Sequence, residues 1–230
     1  MLTRVAVIAH RGASAAYPEN TVEAFRGAQR LGADMVELDA RRTADGRIVV
    51  HHDAHLPDGR AIHEVEARDL PRHLPSLADA LDACGPMGVN IEIKNWPSDP
   101  DFEPTDIVAA AVVDLADRVD RPDRLLVSCF HRPTIDHVRK WRPGLATGYL
   151  HARIDGPTAL AEAVAHGHGA LHPWDPLVNA ELVRAAHSEG VRVNVWTVDG
   201  PDRMAELVSW GVDGIVTNVP DIARAVVDAG

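Results

Sequence analysis

The feature that most constrains this chain is a regular alternation of two hydrophobic periods. Apolar runs of strand length lie at Arg4–His10, Asp34–Arg41, Gly88–Lys94, Arg124–Cys129, Leu145–Leu150, Gly169–His172, Val191–Trp196 and Asp213–Thr217. Between them lie amphipathic stretches at about Thr21–Leu31, Leu77–Cys84, Asp106–Ala116, Thr134–Trp141, Thr158–Ala165, Asn179–Ser188 and Asp202–Trp210, with a last one at Asp221–Asp228. Near-continuous apolar strands separated by helices belong to a parallel sheet covered by those helices. Eight of each within 230 residues predicts a (β/α)₈ TIM barrel. No repeat, low-complexity tract or linker interrupts the pattern, so residues 1–230 read as a single domain. Asn20 and Asp202 are suited to helix N-caps, and Pro220 to a first helical turn.

One element breaks the alternation. Ile48-Val49-Val50-His51-His52 is a ninth short strand, joined to the second by Thr43-Ala44-Asp45-Gly46, and Asp-Gly between two such runs signals a hairpin. With Asp45 and Gly46 as the two turn residues, Asp39 falls opposite His52. A three-residue loop instead sets Asp39 opposite His51. After His52-Asp53, residues His55–Pro75 carry prolines and charges with little periodicity and read as a short excursion over the barrel mouth.

Charge gathers at the ends of three strands. The first ends in His10-Arg11-Gly12, the second in Glu37-Leu38-Asp39, and the hairpin in His51-His52-Asp53. Alternate strand residues share a face, so Glu37 and Asp39 point together into the mouth while Val36 and Leu38 face the helices. Asn90-Ile91-Glu92-Ile93-Lys94 repeats the arrangement with Glu92 and Lys94. Burying such acids is costly unless a cation compensates them, and three carboxylates suit a hard ion such as Mg²⁺ or Ca²⁺. There is no CxxC and no HxxxH on a helix, so no spacing points to a zinc site. With a dication bound, Arg11 and Lys94 leave one net positive charge for a phosphodiester to neutralise. Arg11 can grip phosphate through its planar fork and Lys94 acts as a point charge. His10 and His52 are the acid–base candidates, since cleavage needs a base for the attacking oxygen and an acid for the departing alkoxide. Most of the remaining histidines, His73, His166 and His187 among them, read as solvated.

These words, with Pro18-Glu19-Asn20-Thr21, Trp196-Thr197-Val198 and Asp213-Gly214-Ile215-Val216-Thr217-Asn218, occur in an order that resembles the glycerophosphodiester phosphodiesterase family over nearly the whole chain. The resemblance implies a metal-dependent hydrolase that releases sn-glycerol 3-phosphate and an alcohol such as choline or ethanolamine, with Glu37, Asp39 and Glu92 as metal ligands (Mn²⁺ being a further candidate ion). Attack by the substrate's own glycerol hydroxyl, through a cyclic phosphate, and direct attack by water are both open. Trp196 either lines the glycerol pocket or plugs the core; Trp96, His172 and Trp174 are further candidates for the alcohol end. This chain departs from the family pattern at His51, where an apolar or aromatic residue is usual, and at Asp199, where asparagine is more typical. The alternatives are a lysophospholipase D or inositol-type phosphodiesterase on the same barrel, and a non-catalytic binding barrel.

A formal net charge of -11 argues against nucleic acid and anionic membrane surfaces as partners, leaving a small-molecule substrate. The first apolar run is too short for a membrane span and leads straight into His10-Arg11-Gly12, so neither stable membrane insertion nor a signal peptide is expected. Cys84 and Cys129 without CxxC spacing fit a reducing, cytoplasmic setting.

Overall fold

The apolar runs become strands whose alternate side chains enter a shared core. In this structure, a computed structural model that describes residues 4–119 and 121–230, the chain passes through β1 (Ala6–His10), α1 (Val22–Arg30), β2 (Met35–Arg42), β3 (Ile48–Val50), α2 (Leu77–Ala83), β4 (Gly88–Ile93) and α3 (Ile107–Ala116). It continues through β5 (Leu125–Cys129), α4 (Arg132–Trp141), β6 (Ala146–His151), α5 (Gly156–His166), β7 (Ala170–Pro173), α6 (Ala180–Ser188), β8 (Arg192–Val195), α7 (Pro201–Trp210), β9 (Gly214–Thr217) and α8 (Pro220–Ala229). Parallel pairing runs β1-β2-β4-β5-β6-β7-β8-β9, and β9 pairs back with β1 to close the expected barrel. No helix among the described residues is long and apolar enough to cross a membrane.

The main core lies between strands and helices. Val36, Leu38, Ile91, Ile93, Val193 and Val195 pack there against Phe25, Leu77, Met204 and Leu207. Inside the barrel Ala6, Ile8 and Val216 form a small apolar cluster, and Asn194 and His172 lie buried. Gly148 makes room for His172: a methyl group there would fall 2.6 Å from its Nε2. His172 therefore belongs to the barrel interior rather than to the rim beyond a strand end. His73, His166 and His187 are exposed as expected, whereas His151, His168 and His172 are buried.

Helix starts follow local chemistry, with some shifts from expectation. Thr21, not Asn20, caps α1, accepting a hydrogen bond from the Ala24 N–H. Asp202 sits in the first turn of α7 behind Gly200 and Pro201 rather than at the cap. α4 and α5 begin earlier than their periodicity suggests, at Arg132 and Gly156, because Pro133 and Pro157 fit a first turn whose N–H groups have no intrahelical acceptor. Pro220 opens α8 as expected.

The hairpin takes its three-residue form. Ala40, Arg41 and Arg42 pair with Val50, Val49 and Ile48, and the His51 N–H donates to the Asp39 carbonyl, so His51 and not His52 lies opposite Asp39. Thr43 closes the loop with Arg47, and Gly46 supplies the left-handed residue (φ 77°) that such a loop needs. The excursion after it forms two 3₁₀ turns and its own small core of Val49, Leu56 and Ile62, docked on the hairpin.

Candidate active site

Strand register assembles the acids. His10 pairs with Glu37, Glu37 with Asn90, and Asp39 with Glu92, so side chains from β1, β2 and β4 meet at one edge of the mouth. Glu37, Asp39 and Glu92 are all buried, and each offers an oxygen within 4.8 Å of the others. Glu37 Oε2 accepts from the Arg11 N–H at 3.0 Å, which the left-handed backbone of Arg11 (φ 55°) aims at it. Gly12 follows with φ 83°, and a methyl group there would fall 2.7 Å from the Ala24 backbone, so only glycine lets α1 approach this turn.

The cations lean on two of the three acids. Lys94 Nζ donates to Glu92 Oε1 at 2.7 Å and lies 3.5 Å from Asp39 Oδ1; Arg11 Nε lies 3.3 Å from Asp39 Oδ2. Burial works against the Asp39 charge, but Lys94, Arg11 and His52 outweigh it and hold its carboxyl below the ordinary range. Burial and the neighbouring charges of Asp39 and Glu92 push the Glu37 carboxyl well up. Burial opposes the Lys94 charge too, yet Glu92 and Asp39 raise its pKa. Glu37 Oε1 and Asp39 Oδ1 are shielded from solvent and have no hydrogen-bond partner among the described residues. Buried carboxylate oxygens left without donors are what a small oxygen-seeking cation would fill, so the residues present fit a hard divalent ion.

Each candidate histidine approaches these acids with a different second partner. His10 Nδ1 lies 2.7 Å from the Asn218 amide oxygen, and burial together with nearby Arg11 lowers its pKa, favouring neutral imidazole. His52 Nδ1 lies 2.7 Å from the Asp53 carboxylate. His51 takes the ladder position, and His52 stands just past β3. Arg41 fixes it there: Nε donates to the His52 carbonyl at 2.8 Å while the guanidinium pairs with Asp101 and Asp99.

Three contributors escape the sequence reading. Asn20, in a left-handed conformation (φ 58°), turns its amide to donate to Asp39 Oδ2 at 2.8 Å instead of capping a helix. Asparagine tolerates that conformation better than most residues, and its place in the Pro18-Glu19-Asn20-Thr21 word marked the position without giving its partner. Glu19 pairs with Arg11 Nη1 at 3.0 Å, ordering the guanidinium. Phe130 lines the cavity that opens beside Glu92 and Lys94, a space of about 330 Å³ also bounded by Trp96, Leu150 and Arg153. Trp196 is one ring removed from that cavity. It meets Phe130 edge-on at 5.5 Å, donates from Nε1 to the His172 carbonyl at 2.8 Å and caps the interior apolar cluster. Trp174 is exposed outside the cavity. Cys84 and Cys129 are buried free thiols, pushed up to about 12 by burial, and offer no nucleophile.

Comparison with known proteins places this geometry. Residues 10–222 match the Glycerophosphoryl diester phosphodiesterase family. A glycerophosphodiester phosphodiesterase of Caldanaerobacter subterraneus subsp. tengcongensis is 31% identical over 243 aligned positions, covering 94% of this chain and 94% of its own. A crystal structure of glycerophosphodiester phosphodiesterase from Thermotoga maritima superposes with a TM-score of 0.84 at 25% identity, over 98% of this chain and 100% of that one. An Oleispira antarctica phosphodiesterase, solved in complex with the product sn-glycerol-3-phosphate, has the same fold with a TM-score of 0.87 at 24% identity, over 98% of this chain and 97% of its own.

Proposed function

We infer the reaction from one premise: this chain belongs to the glycerophosphoryl diester phosphodiesterase family, and so is a phosphoric diester hydrolase. The reading is hydrolysis of a glycerophosphodiester to sn-glycerol 3-phosphate and the free alcohol, on one barrel domain acting on a small molecule. The cytoplasm is its proposed setting, which suits two free buried thiols. Glu37, Asp39 and Glu92 would hold Mg²⁺, Ca²⁺ or Mn²⁺, which when bound supplies Lewis-acid charge for the phosphoryl oxygens.

The observation that carries the reading is the unequal pairing of the two histidines over one set of acids. His10, neutral and donating from Nδ1 to an amide oxygen, keeps a lone pair on Nε2 and serves as the base for the attacking oxygen. His52, backed by the Asp53 carboxylate, is suited to carry a proton and deliver it to the departing alkoxide. Arg11 and Lys94 orient the phosphate and offset its developing charge. Trp196 supports the substrate side of the mouth through Phe130.

The test is a coupled assay for glycerol 3-phosphate on a panel of glycerophosphodiesters and a p-nitrophenyl ester. His10→Ala and His52→Ala should each slow glycerophosphocholine hydrolysis by roughly 10²–10⁴-fold, the usual span for acid–base groups. Only His52→Ala should recover on the p-nitrophenyl ester, whose leaving group departs without a proton. Equal losses on both esters would remove the division of roles, and absence of glycerol 3-phosphate from every diester would overturn the reaction itself.

A further inference from the structure

Asp199 lies in the turn after β8 and is not one of the clustered acids. Its carboxylate nevertheless ends a continuous chain of hydrogen bonds to His10. One oxygen accepts from Thr217 Oγ1 at 2.9 Å and from the Asn218 N–H at 2.8 Å. The other accepts from the Asn218 side-chain Nδ2 at 2.7 Å. The far end of that amide, Oδ1, accepts from Ser14 Oγ at 2.8 Å and faces His10 Nδ1 at 2.7 Å.

The chemistry of these groups permits one orientation. A carboxylate only accepts, so the NH₂ of Asn218 must turn to Asp199 and its oxygen to His10. An amide oxygen only accepts, so neutral His10 must carry its proton on Nδ1, leaving Nε2 free. We propose that Asp199 is a positioning residue that locks the Asn218 amide and, through it, holds His10 in the Nδ1–H tautomer. The catalytic consequence rests on the role of His10 given above; the tautomer does not. A simpler role, stapling the β8–α7 turn to the end of β9, uses only the contacts to Thr217 and the Asn218 backbone.

Asp199→Asn separates the two roles. Its single oxygen can still accept from Thr217 and the Asn218 N–H, keeping the staple, but its NH₂ then meets that of Asn218. Flipping Asn218 relieves the conflict and presents a donor to His10 Nδ1, which moves the imidazole proton to Nε2. Losing the enforced acceptor is worth about one neutral hydrogen bond, so kcat should fall roughly fivefold to tenfold while KM changes little.

The direct readout is NMR through long-range proton–nitrogen couplings in the His10 ring, at a mildly alkaline pH where the imidazole is neutral. Wild-type protein should show Nδ1 protonated, and Asp199→Asn should show a substantial Nε2–H population. Thr217→Val, which removes part of the staple and leaves the amide alone, should keep the wild-type tautomer. In an Asn218→Ala background, Asp199→Asn should cost nothing further in kcat. An unchanged tautomer in Asp199→Asn, or an undiminished effect of that substitution without Asn218, would overturn the proposal. Because the ring is read without turnover, that result is distinct from failure of the proposed reaction, which the loss of activity on every diester would report.

Discussion

Arg41 offers the sharpest test of how the mouth is held together. Its side chain and that of Asp101 are 4% and 3% exposed, and the guanidinium meets both Asp101 oxygens at 2.7 and 2.6 Å. Arg41→Met keeps much of the packing stem but leaves Asp101 a buried carboxylate without its cation, and weakens the setting of Asp99. Breaking a buried pair from one side costs about 3–5 kcal/mol, because the surviving charge remains desolvated. A chain of this length loses about 2–4 °C of melting temperature per kcal/mol, so the variant should melt roughly 6–20 °C lower. Arg41→Met/Asp101→Leu removes both charges and should recover most of that loss, since an apolar pair of similar volume is often no worse than the ion pair. Activity should not recover with stability, because the bond from Arg41 Nε to the His52 carbonyl is absent from both variants. Thermal denaturation and turnover of all three proteins decide the matter. A melting temperature for Arg41→Met within a few degrees of wild type would refute the reasoning, and so would full activity in the rescued double variant.

Chelation should abolish turnover, and restoring Mg²⁺, Mn²⁺ or Ca²⁺ should both recover it and raise the melting temperature, by about 2.7 kcal/mol of stability at a hundredfold excess over Kd. Glu37→Gln should be more stable than wild type in EDTA yet gain less from Mg²⁺, so equal Mg²⁺-induced shifts in scanning fluorimetry would contradict Glu37 as a ligand. Burial lowers the His172 pKa to about 3, whereas in the unfolded chain it returns to the ordinary value of 6.5. The folded state thus binds fewer protons between those values; its stability is full above the unfolded pKa and falls as pH drops towards about 3, by roughly 2 kcal/mol at about pH 5. Urea denaturation of His172→Gln should show a correspondingly shallower acid slope, and an identical slope would place the titrating group elsewhere.

What the sequence reveals and what it hides divide along physical lines. Glu37 and Asp39 were legible because strand alternation is local: apolar neighbours at Val36 and Leu38 force the acids onto the other face. The barrel itself follows from eight repeats of the same local rule. The hairpin register lay one residue beyond that reach, because Thr43-Ala44-Asp45-Gly46 is compatible with two loop lengths and only the Thr43–Arg47 closure selects between them. Asn20 was legible as a polar residue before a helix but not as a donor to Asp39, since Thr21 beside it competes for the cap. The partners that distinguish the histidines differ in the same way. Asp53 adjoins His52 and stands in the same motif, whereas Asn218 reaches His10 only because β9 closes the barrel beside β1. Arg41 and Asp101 are joined across the mouth by the loop that follows β4, a contact no local pattern announces.

The two charged groups on β2 make a comparison that bears on function. Arg41 and Asp101 are as buried as the acids two and four residues earlier, and there each charge has its counter-charge and its hydrogen bonds. Asp39 and Glu92 divide Arg11 and Lys94 between them, Glu37 takes only the Arg11 N–H, and Glu37 Oε1 and Asp39 Oδ1 find no hydrogen-bond partner among the described residues. The same strand can therefore neutralise buried charge completely, and does so one turn of the pleat further on. Leaving Glu37 short of a cation, with its carboxyl pushed up by burial and by Asp39 and Glu92, lowers the stability of the protein alone. The deficit lies at the carboxyl ends of the strands, where barrel enzymes place their chemistry, and a divalent cation would remove it. Two buried carboxylate oxygens left unpaired on that rim, beside a fully paired Arg41 on the same strand, are what a bound hard cation would satisfy.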